Sequence, residues 1–320
     1  MGQTYHPKWH VHLWLPRSAG AIVKLMRRTH ESSLFEPPRQ RLRARAARLL
    51  PLRLQRTLRY VRNLRRIPNF RHPQWYTEKM NWRILDGHDP TTAWTCDKLR
   101  AQERVRELLP TMLIPRNLWA GADLTQLAQV TFPDRWVLKG NNRSGAVHLG
   151  HGTPTLAELS ELTRGWLFPR ESVVLGEWAY SLARPMLLLE EFLGSGEAPP
   201  DDYKFVVFDG RVELVNLHTG RFGAHDHWLF DRDWLPARTR DRERETLPPR
   251  PAELANMIAI AERIAGGFDN LRVDLYLTPD GIYFGETTYY SGGGTDNWGD
   301  RDVDRALGAL WNLPLVFDKP

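Results

Sequence analysis

Apolar residues recur along this chain with two periods. In NLRVDLYLTPDGIYFGETT (270–288), Leu271, Val273, Leu275 and Leu277 alternate with Arg272, Asp274 and Tyr276, the period of a strand with one buried face. TPDG then supplies turn chemistry, with Gly281 for the positive-φ position, so the segment predicts a hairpin. A three-residue loop, Pro279-Asp280-Gly281, would pair Thr278 with Ile282 and hence Asp274 with Glu286. YKFVVFDGRVELVNL (203–217) predicts a second hairpin turning at Asp209-Gly210. DRWVLKGNNRSGAVHLG (134–150) reads as strand, Gly/Asn/Ser loop and strand, and PMLLLEEFLG (185–194) as a short buried strand. Helical spacing appears in 75–87, 95–110, 154–167 and 251–268, with Asp97 near the start of the second and Pro110 at its end. Between Arg39 and Arg66, Leu and Val recur at near-helical spacing among arginines, and Pro51 divides the stretch into two amphipathic helices. Residues 1–36 carry little pattern.

The mixture predicts an α+β fold, with strand pairs and intervening helices rather than regular βαβ alternation. Joints near Pro110-Thr111 and in GSGEAPP (194–200) suggest a basic, partly helical arm over 1–67. A helical part (68–110), a central lobe (111–200) and a C-terminal lobe (201–320) would follow.

Charge changes this picture. Residues 1–75 hold 17 Lys/Arg against Glu31 and Glu36, a net +15, while the remainder carries −9. A basic arm on a mildly acidic body points to an anionic partner, whether membrane headgroups, an acidic glycolipid or a polyanionic glycan; a solvated helical face packed on the body would give the same pattern. No nucleic-acid reader motif accompanies the arm, so nucleic acid is not expected. With 320 residues, 42% of them hydrophobic, the chain can bury real cores. One cysteine, Cys96, no bilayer-length apolar run and no clean signal-peptide pattern lead to the expectation of a cytoplasmic protein, peripheral at most to the inner membrane face.

Two like charges opposed on one sheet face are unfavourable, so Asp274 and Glu286 call for a cation. Mg²⁺ takes one or two carboxylates plus phosphate oxygens, and Arg272 on the same strand face could touch phosphate as well. An arginine–carboxylate surface cluster would give the same pattern. Lys139 ends an apolar strand before a loop containing Asn141, Ser144 and Gly145, whose small residues let backbone N–H groups approach an anion. No G-x-x-x-x-G-K-[ST] motif is present. Lys98 follows Asp97 at a helix start, Glu190 and Glu191 end an apolar run where a ribose hydroxyl would suit one of them, and Lys204 sits in DDYKFVVFDG.

The order of these pieces resembles the ATP-grasp superfamily, and more closely its TupA-like branch, named for teichuronopeptide biosynthesis. The resemblance runs from about Pro68 to Trp311 through FRHPQWYTEKMNWRIL, CDKLRAQERV, WVLKGNNRSGAV, LLLEEFLG, DYKFVVFDG, DWLP, RVDLYLTPDGIYFGETT and SGGG. It implies two α+β lobes sandwiching ATP behind the N-terminal basic region. It implies that Lys98 and Lys139 contact the ATP phosphates and that residues 141–146, with Asn141, Ser144 and Gly145, close over them. Glu190 and Glu191 would fall at the adenine- and ribose-binding hinge segment, and Lys204 would touch phosphate or acceptor. Arg272 would stabilise the transferring phosphoryl group, and Asp274, Glu286 and Thr288 would hold Mg²⁺. Thr288 stands where many ATP-grasp enzymes have Asn, and Arg143 where the branch usually has small residues or His.

The activity so implied is an amide-forming carboxylate–amine ligase using ATP and Mg²⁺, acting through an acylphosphate on a cell-surface polysaccharide or its precursor. A sugar phosphotransferase, a metal-dependent glycosyltransferase and a non-catalytic nucleotide- or glycan-binding protein are the alternatives. His225 and His227 form an H-x-H pair in GRFGAHDHWLF, an acceptor-loop candidate, but zinc needs three or four ligands and the sequence does not assemble them.

Overall fold

The computed structural model describes residues 49–314, apart from 195–197, 221, 222, 224, 244, 245, 297 and the side chains of 239 and 240. The first helix expected in the arginine-rich stretch lies outside the described residues. The second is α1 (Leu52–Leu64), which starts after Pro51 and buries Arg56, Tyr60 and Leu64 at helical spacing. Next come α2 (Tyr76–Leu85) and α3 (Lys98–Leu108). The Glu78 carboxylate accepts from the Gln74 and Trp75 amides and so fixes the start of α2. Asp97 accepts from the Arg100 amide at the start of α3 and is clasped by Arg184, which fixes Lys98 in the first turn.

The chain continues through β1 (Asn117–Gly121), β2 (Arg135–Gly140), β3 (Val147–His151), α4 (Leu156–Leu162), α5 (Arg170–Leu175) and β4 (Leu187–Glu191). These strands form an antiparallel sheet in the order β1-β4-β2-β3. Trp136, Leu138, Leu187 and Leu189 pack beneath it with Leu124, Leu127, Leu159 and Leu167. Then follow β5 (Asp202–Phe208), β6 (Arg211–Thr219), β7 (Asp226–Asp231), α6 (Leu254–Ile264), β8 (Asn270–Thr278), β9 (Gly281–Thr288) and α7 (Arg301–Leu310). The second sheet is also antiparallel, in the order β7-β6-β5-β8-β9. Phe205, Val207, Leu271, Val273 and Leu275 point into the larger core with Leu254, Met257, Ile258 and Ala261 of α6. The alternation of β8 thus buries the leucine and valine face, and Arg272 and Asp274 lie on the other.

The hairpin register reaches the expected end by a different route. Thr278 pairs with Gly281, not Ile282, so the loop has two residues and the ladder begins one position away from the expectation. An irregularity between Asp274 and Leu275 then absorbs Gly285 as an extra residue, and beyond it Asp274 faces Glu286. Gly285 is required there: a Cβ would lie 3.0 Å from the Asp274 carbonyl oxygen and 3.0 Å from the Tyr276 ring. A second difference concerns GRFGAHDHWLF, whose described part is edge strand β7 from Asp226 onward rather than a loop. Strand β1 and helix α5 also lack a counterpart in the sequence reading, because each is too short to show a period. Helix α7 was missed although Val303, Leu307 and Leu310 recur at helical spacing.

Gly285→Ala should therefore lower stability by about 1–3 kcal/mol through overpacking at the bulge. The check is a urea unfolding curve, with a lower midpoint at unchanged slope expected; an unmoved midpoint would show that the bulge tolerates a side chain.

Candidate active site

Register places the charged residues in a row. Across β6, β5, β8 and β9, Asn216 pairs with Lys204, Lys204 with Asp274 and Asp274 with Glu286. Arg272 precedes Asp274 by two positions on the same face and pairs with Thr288. The side chains close into a network. Arg272 Nε and Nη2 donate to Asp274 Oδ1 and Oδ2 at 2.7 and 2.8 Å, and Lys204 Nζ donates to Asp274 Oδ2 at 2.6 Å and to Asp202 Oδ2 at 2.5 Å. Burial alone would raise the Asp274 carboxyl, but Arg272 and Lys204 hold it well below the usual carboxylate range. Burial would lower Arg272, yet Asp274, Glu286 and Asp202 raise it.

Glu286 differs. Its carboxylate is about a third exposed, and its nearest cations are Arg272 Nη2 at 3.6 Å and Lys98 Nζ at 3.8 Å, beyond hydrogen-bond reach. Burial pushes it up and Asp274 adds to that, but Lys98, Lys204 and Arg272 together bring it below the ordinary glutamate value. Glu286 is therefore an ionised carboxylate with open oxygens.

On the opposite sheet, Lys139 Nζ contacts Glu190 Oε2 at 2.5 Å, and Gln102 donates to Glu190 Oε1 at 2.8 Å. Both oxygens of Glu190 are thus engaged, whereas Glu191 accepts from the Arg116 amide at 2.8 Å, has Arg116 Nε 3.7 Å from its other oxygen and keeps a third of its side chain exposed. The two sheets flank a cavity that opens to solvent. Val137, Lys139, Val147, Glu190 and Glu191 line it from one side, and Asp202, Tyr276, Gly285 and Glu286 from the other. Lys98 and the loop residues Arg143, Gly145 and Ala146 also line this cavity. A second cavity adjoins it through the shared residues Lys98 and Glu286. Arg272, Thr288 and Ser144 belong to the wall of this second cavity.

The structure thus gathers Lys98, Lys139, Gly145, Glu190, Glu191 and Glu286 around one space, with Arg272, Ser144 and Thr288 on the adjoining one. Lys204 and Asp274 lie behind the cavity wall and reach it through Asp202 and Glu286. Asn141 is fully buried and lines neither cavity. Its side chain accepts from the Leu99 amide and donates to the Arg184 carbonyl, and its backbone pairs with Lys98 and Met186, so it anchors the loop to α3. Asp202 was missed, although its i, i+2 spacing to Lys204 on a strand is a usable signal. Gln102 carried none.

The donor set suits a hard divalent cation. Glu286 supplies open ionised oxygens beside Asp274, whose own oxygens are shared with Arg272 and Lys204. Among the described residues no three His, Cys, Asp or Glu converge as a protein-only cage, so such an ion would complete its shell from phosphate oxygens. The zinc alternative finds no ligand set. His225, His218 and His227 stack together, but His227 lies against Arg238 Nη1 at 2.8 Å, and burial holds His218 down at about 3.

The second cavity contains one more perturbed acid. Burial drives the Glu177 carboxyl up to about 8, against the pull of Arg56 and with Glu171 adding to the rise. A carboxyl raised on folding binds its proton more tightly in the folded state, so it favours folding at low pH and opposes it increasingly from about pH 4.3 up to about pH 8. Glu177→Gln should remove that slope: urea midpoints of variant and wild type should converge near pH 4.5 and separate at pH 8, the variant being the more stable. Parallel curves would show that Glu177 is ionised throughout.

Comparison with known proteins follows this geometry. A family model described as TupA-like ATP-grasp matches residues 78–312. No curated protein is significantly similar to the chain. Among solved structures, D-alanine–D-alanine ligase from Helicobacter pylori aligns with a TM-score of 0.41 at 10% identity, covering 69% of this chain and 59% of that one. VanG D-Ala:D-Ser ligase from Enterococcus faecalis aligns with a TM-score of 0.36 at 16% identity, covering 61% and 52%. An ADP complex of N5-carboxyaminoimidazole ribonucleotide synthetase gives a TM-score of 0.39 at 15% identity, with 66% and 50% covered. The chain therefore spans between half and three-fifths of the length of these structures.

Proposed function

The chain belongs to the TupA-like ATP-grasp family, and from that premise we propose that it is an ATP-dependent carboxylate–amine ligase. The observation that carries the reading is the cavity between the two sheets, which Lys98, Lys139 and the open carboxylate of Glu286 line together, with Lys98 Nζ 3.8 Å from Glu286. Lys98 and Lys139 supply compact positive charge for the triphosphate, and residues 143–146 cover it from the side. Glu191, with free carboxylate capacity at the end of β4, suits a ribose hydroxyl better than Glu190, whose oxygens Gln102 and Lys139 occupy. Glu286 and Asp274 would hold Mg²⁺, which supplies charge neutralisation on the phosphates when bound.

Transfer of the γ-phosphoryl group to a substrate carboxylate makes an acylphosphate and ADP. An amine then attacks the acyl carbon, the carbon–oxygen bond to phosphate breaks, and amide, inorganic phosphate and a proton leave. The transition state spreads negative charge over phosphoryl oxygens, so fixed cations do most of the work. Arg272, locked in orientation by its two bonds to Asp274, presents the rest of its guanidinium to the second cavity. Lys204 keeps Asp274 charged and ties β5 to β8 in the middle of the sheet.

The excess of +15 in residues 1–75 supports an anionic acceptor, and cell-surface polysaccharide or its precursor is the class we assign. The same basic arm suits peripheral contact with an anionic membrane face. Among the described residues no helix is long and apolar enough to cross a membrane.

Glu286→Gln should keep the fold and melting temperature but cut turnover more than 100-fold, because it removes the open anionic donor while preserving shape. The assay supplies ATP, Mg²⁺, uronic acids and amino acids, and measures inorganic phosphate together with amide product. A phosphorylated acceptor without phosphate release would identify a phosphotransferase, and failure of ATP or its non-hydrolysable analogue to bind would end the ATP reading altogether.

A further inference from the structure

The second cavity contains groups that the nucleotide site does not use. Besides Lys98, Arg272 and Glu286 at the shared boundary, its wall includes Arg59, Arg170, Glu177, Tyr180, Tyr290 and Gly293. Arg59 comes from α1, outside the family-matched segment 78–312.

Its placement is well defined. Arg56, three residues earlier and so on the same helix face, is buried and bonded on all sides. Arg56 Nε donates to Asn81 Oδ1 at 2.7 Å, Nη1 to the Leu175 carbonyl at 3.1 Å, and Nη2 to the Gly293 carbonyl. Leu52 packs so closely on Gly176 that a Cβ there would meet it at 2.6 Å. Helix α1 is therefore fixed to both α5 and the glycine turn after β9, and Arg59 is held over the cavity between them.

Arg59 is also under-compensated. Its Nε is buried with no hydrogen-bond partner among the described residues. Burial lowers its guanidinium from the ordinary value; Glu177 opposes this, and Arg170 and Arg62 reinforce it. Arg170 on α5 has a 3.4 Å contact with Glu171, whose carboxylate also receives the Ser144 hydroxyl. Glu177, raised to about 8, is largely protonated at neutral pH and cannot neutralise the pair. Of the other cations in this wall, Arg272 is paired with Asp274, Lys98 faces Glu286 and Arg170 touches Glu171. Arg59, its Nε unpartnered among the described residues, is the one short of an anion.

We infer that Arg59 and Arg170 bind a carboxylate of the acceptor, making the acceptor an acid that bears at least one carboxylate besides the one activated at Arg272. This inference rests on the ligase reading and deepens it. A guanidinium pair matches carboxylate geometry with parallel hydrogen bonds, which a neutral sugar hydroxyl cannot return with charge. An acceptor with repeated carboxylates can place one near Arg272 and Glu286 and a neighbouring one on Arg59 and Arg170. The adjoining cavities supply the room for that arrangement.

The test uses the full chain and thermal unfolding with a non-hydrolysable ATP analogue and Mg²⁺ present. A short oligogalacturonate is the acidic probe, the matched neutral oligogalactose is its control, and inorganic phosphate is the third ligand. Oligogalacturonate should raise the melting temperature of the wild type and oligogalactose should not. Arg59→Gln and Arg170→Gln should each weaken the apparent affinity for oligogalacturonate about tenfold. Arg59→Lys should recover part of it, and all three variants should keep the shift caused by the nucleotide analogue alone. Equal protection by the neutral sugar, no protection by the acidic one, or unchanged affinity in both glutamine variants would overturn the inference. Arg59-dependent protection by inorganic phosphate matching that by oligogalacturonate would assign the pair to a phosphate instead and overturn the carboxylate. Loss of the nucleotide shift in the wild type is a separate outcome and counts against the ATP reading, not against the arginine pair alone.

Discussion

The cross-strand opposition of Asp274 and Glu286 is the constraint around which the rest of this fold is arranged. Two carboxylates on neighbouring strands repel, and burying either unpaired would cost several kcal/mol. The chain resolves this unequally. Asp274 takes a bidentate Arg272 and the Lys204 ammonium, which satisfies it, while Glu286 is left with cations only at 3.6 and 3.8 Å. A satisfied ion pair behind an unsatisfied carboxylate sets up a rigid donor with open oxygens. Removing either cation partner of Asp274 would leave a buried charge exposed to low dielectric, typically a loss of about 3–5 kcal/mol. The orientation of these charged side chains and the stability of the sheet therefore depend on the same hydrogen bonds.

The loop over the cavity is coupled to that arrangement through α3. Lys98 Nζ donates to the Arg143 carbonyl at 2.7 Å while its charge faces Glu286, so one ammonium touches both the loop and the acid. Ser144 reaches Glu171, and Arg143 bonds to the Gly165 carbonyl, tying the loop tip to α5 and the turn before it. Asn141 secures the loop base from within the protein. Phosphate oxygens entering between Lys98, Lys139 and Glu286 would compete for the same ammonium groups that now hold the loop and Glu190. Ligand entry and loop position are thus linked by a shared, countable set of donors.

Much of this was legible in the alternating pattern. The period of two placed Arg272 and Asp274 opposite the leucine face, and the Asp-Gly turn signals located both hairpins. The opposition of Asp274 and Glu286 was expected from a three-residue loop, yet the loop has two residues, and the Gly285 bulge restores the pairing. A sequence fixes turn propensity locally, but a bulge depends on what the extra residue would strike across the sheet, here the Asp274 carbonyl and Tyr276 ring. Asn141 looked like a loop residue facing an anion and is instead a buried clamp, because amide side chains serve either purpose equally well. Glu177 was silent for a related reason: its raised carboxyl comes from burial and from Glu171, and LGEWAY contains nothing that reports either.

The basic arm shows how one charge pattern can conceal two physical roles. Arg53 and Arg62 on α1 and Arg65 just past its end face outward, and Arg53 merely pairs with Asp86 at the surface, a contact worth at most about 1 kcal/mol. Arg56 and Arg59 face inward, one consumed by carbonyls and Asn81, the other short of partners beside a cavity. Composition counts all five alike as a solvated or membrane-seeking stripe. Arg56 lies on the buried stripe that continues at spacing four through Tyr60 and Leu64, and Arg59 sits at the margin of that stripe over the second cavity. An arginine on the buried side of such a helix is costly unless the structure or a ligand completes it. Arg56 is completed by the structure, which leaves Arg59 as the position where a ligand has something to add.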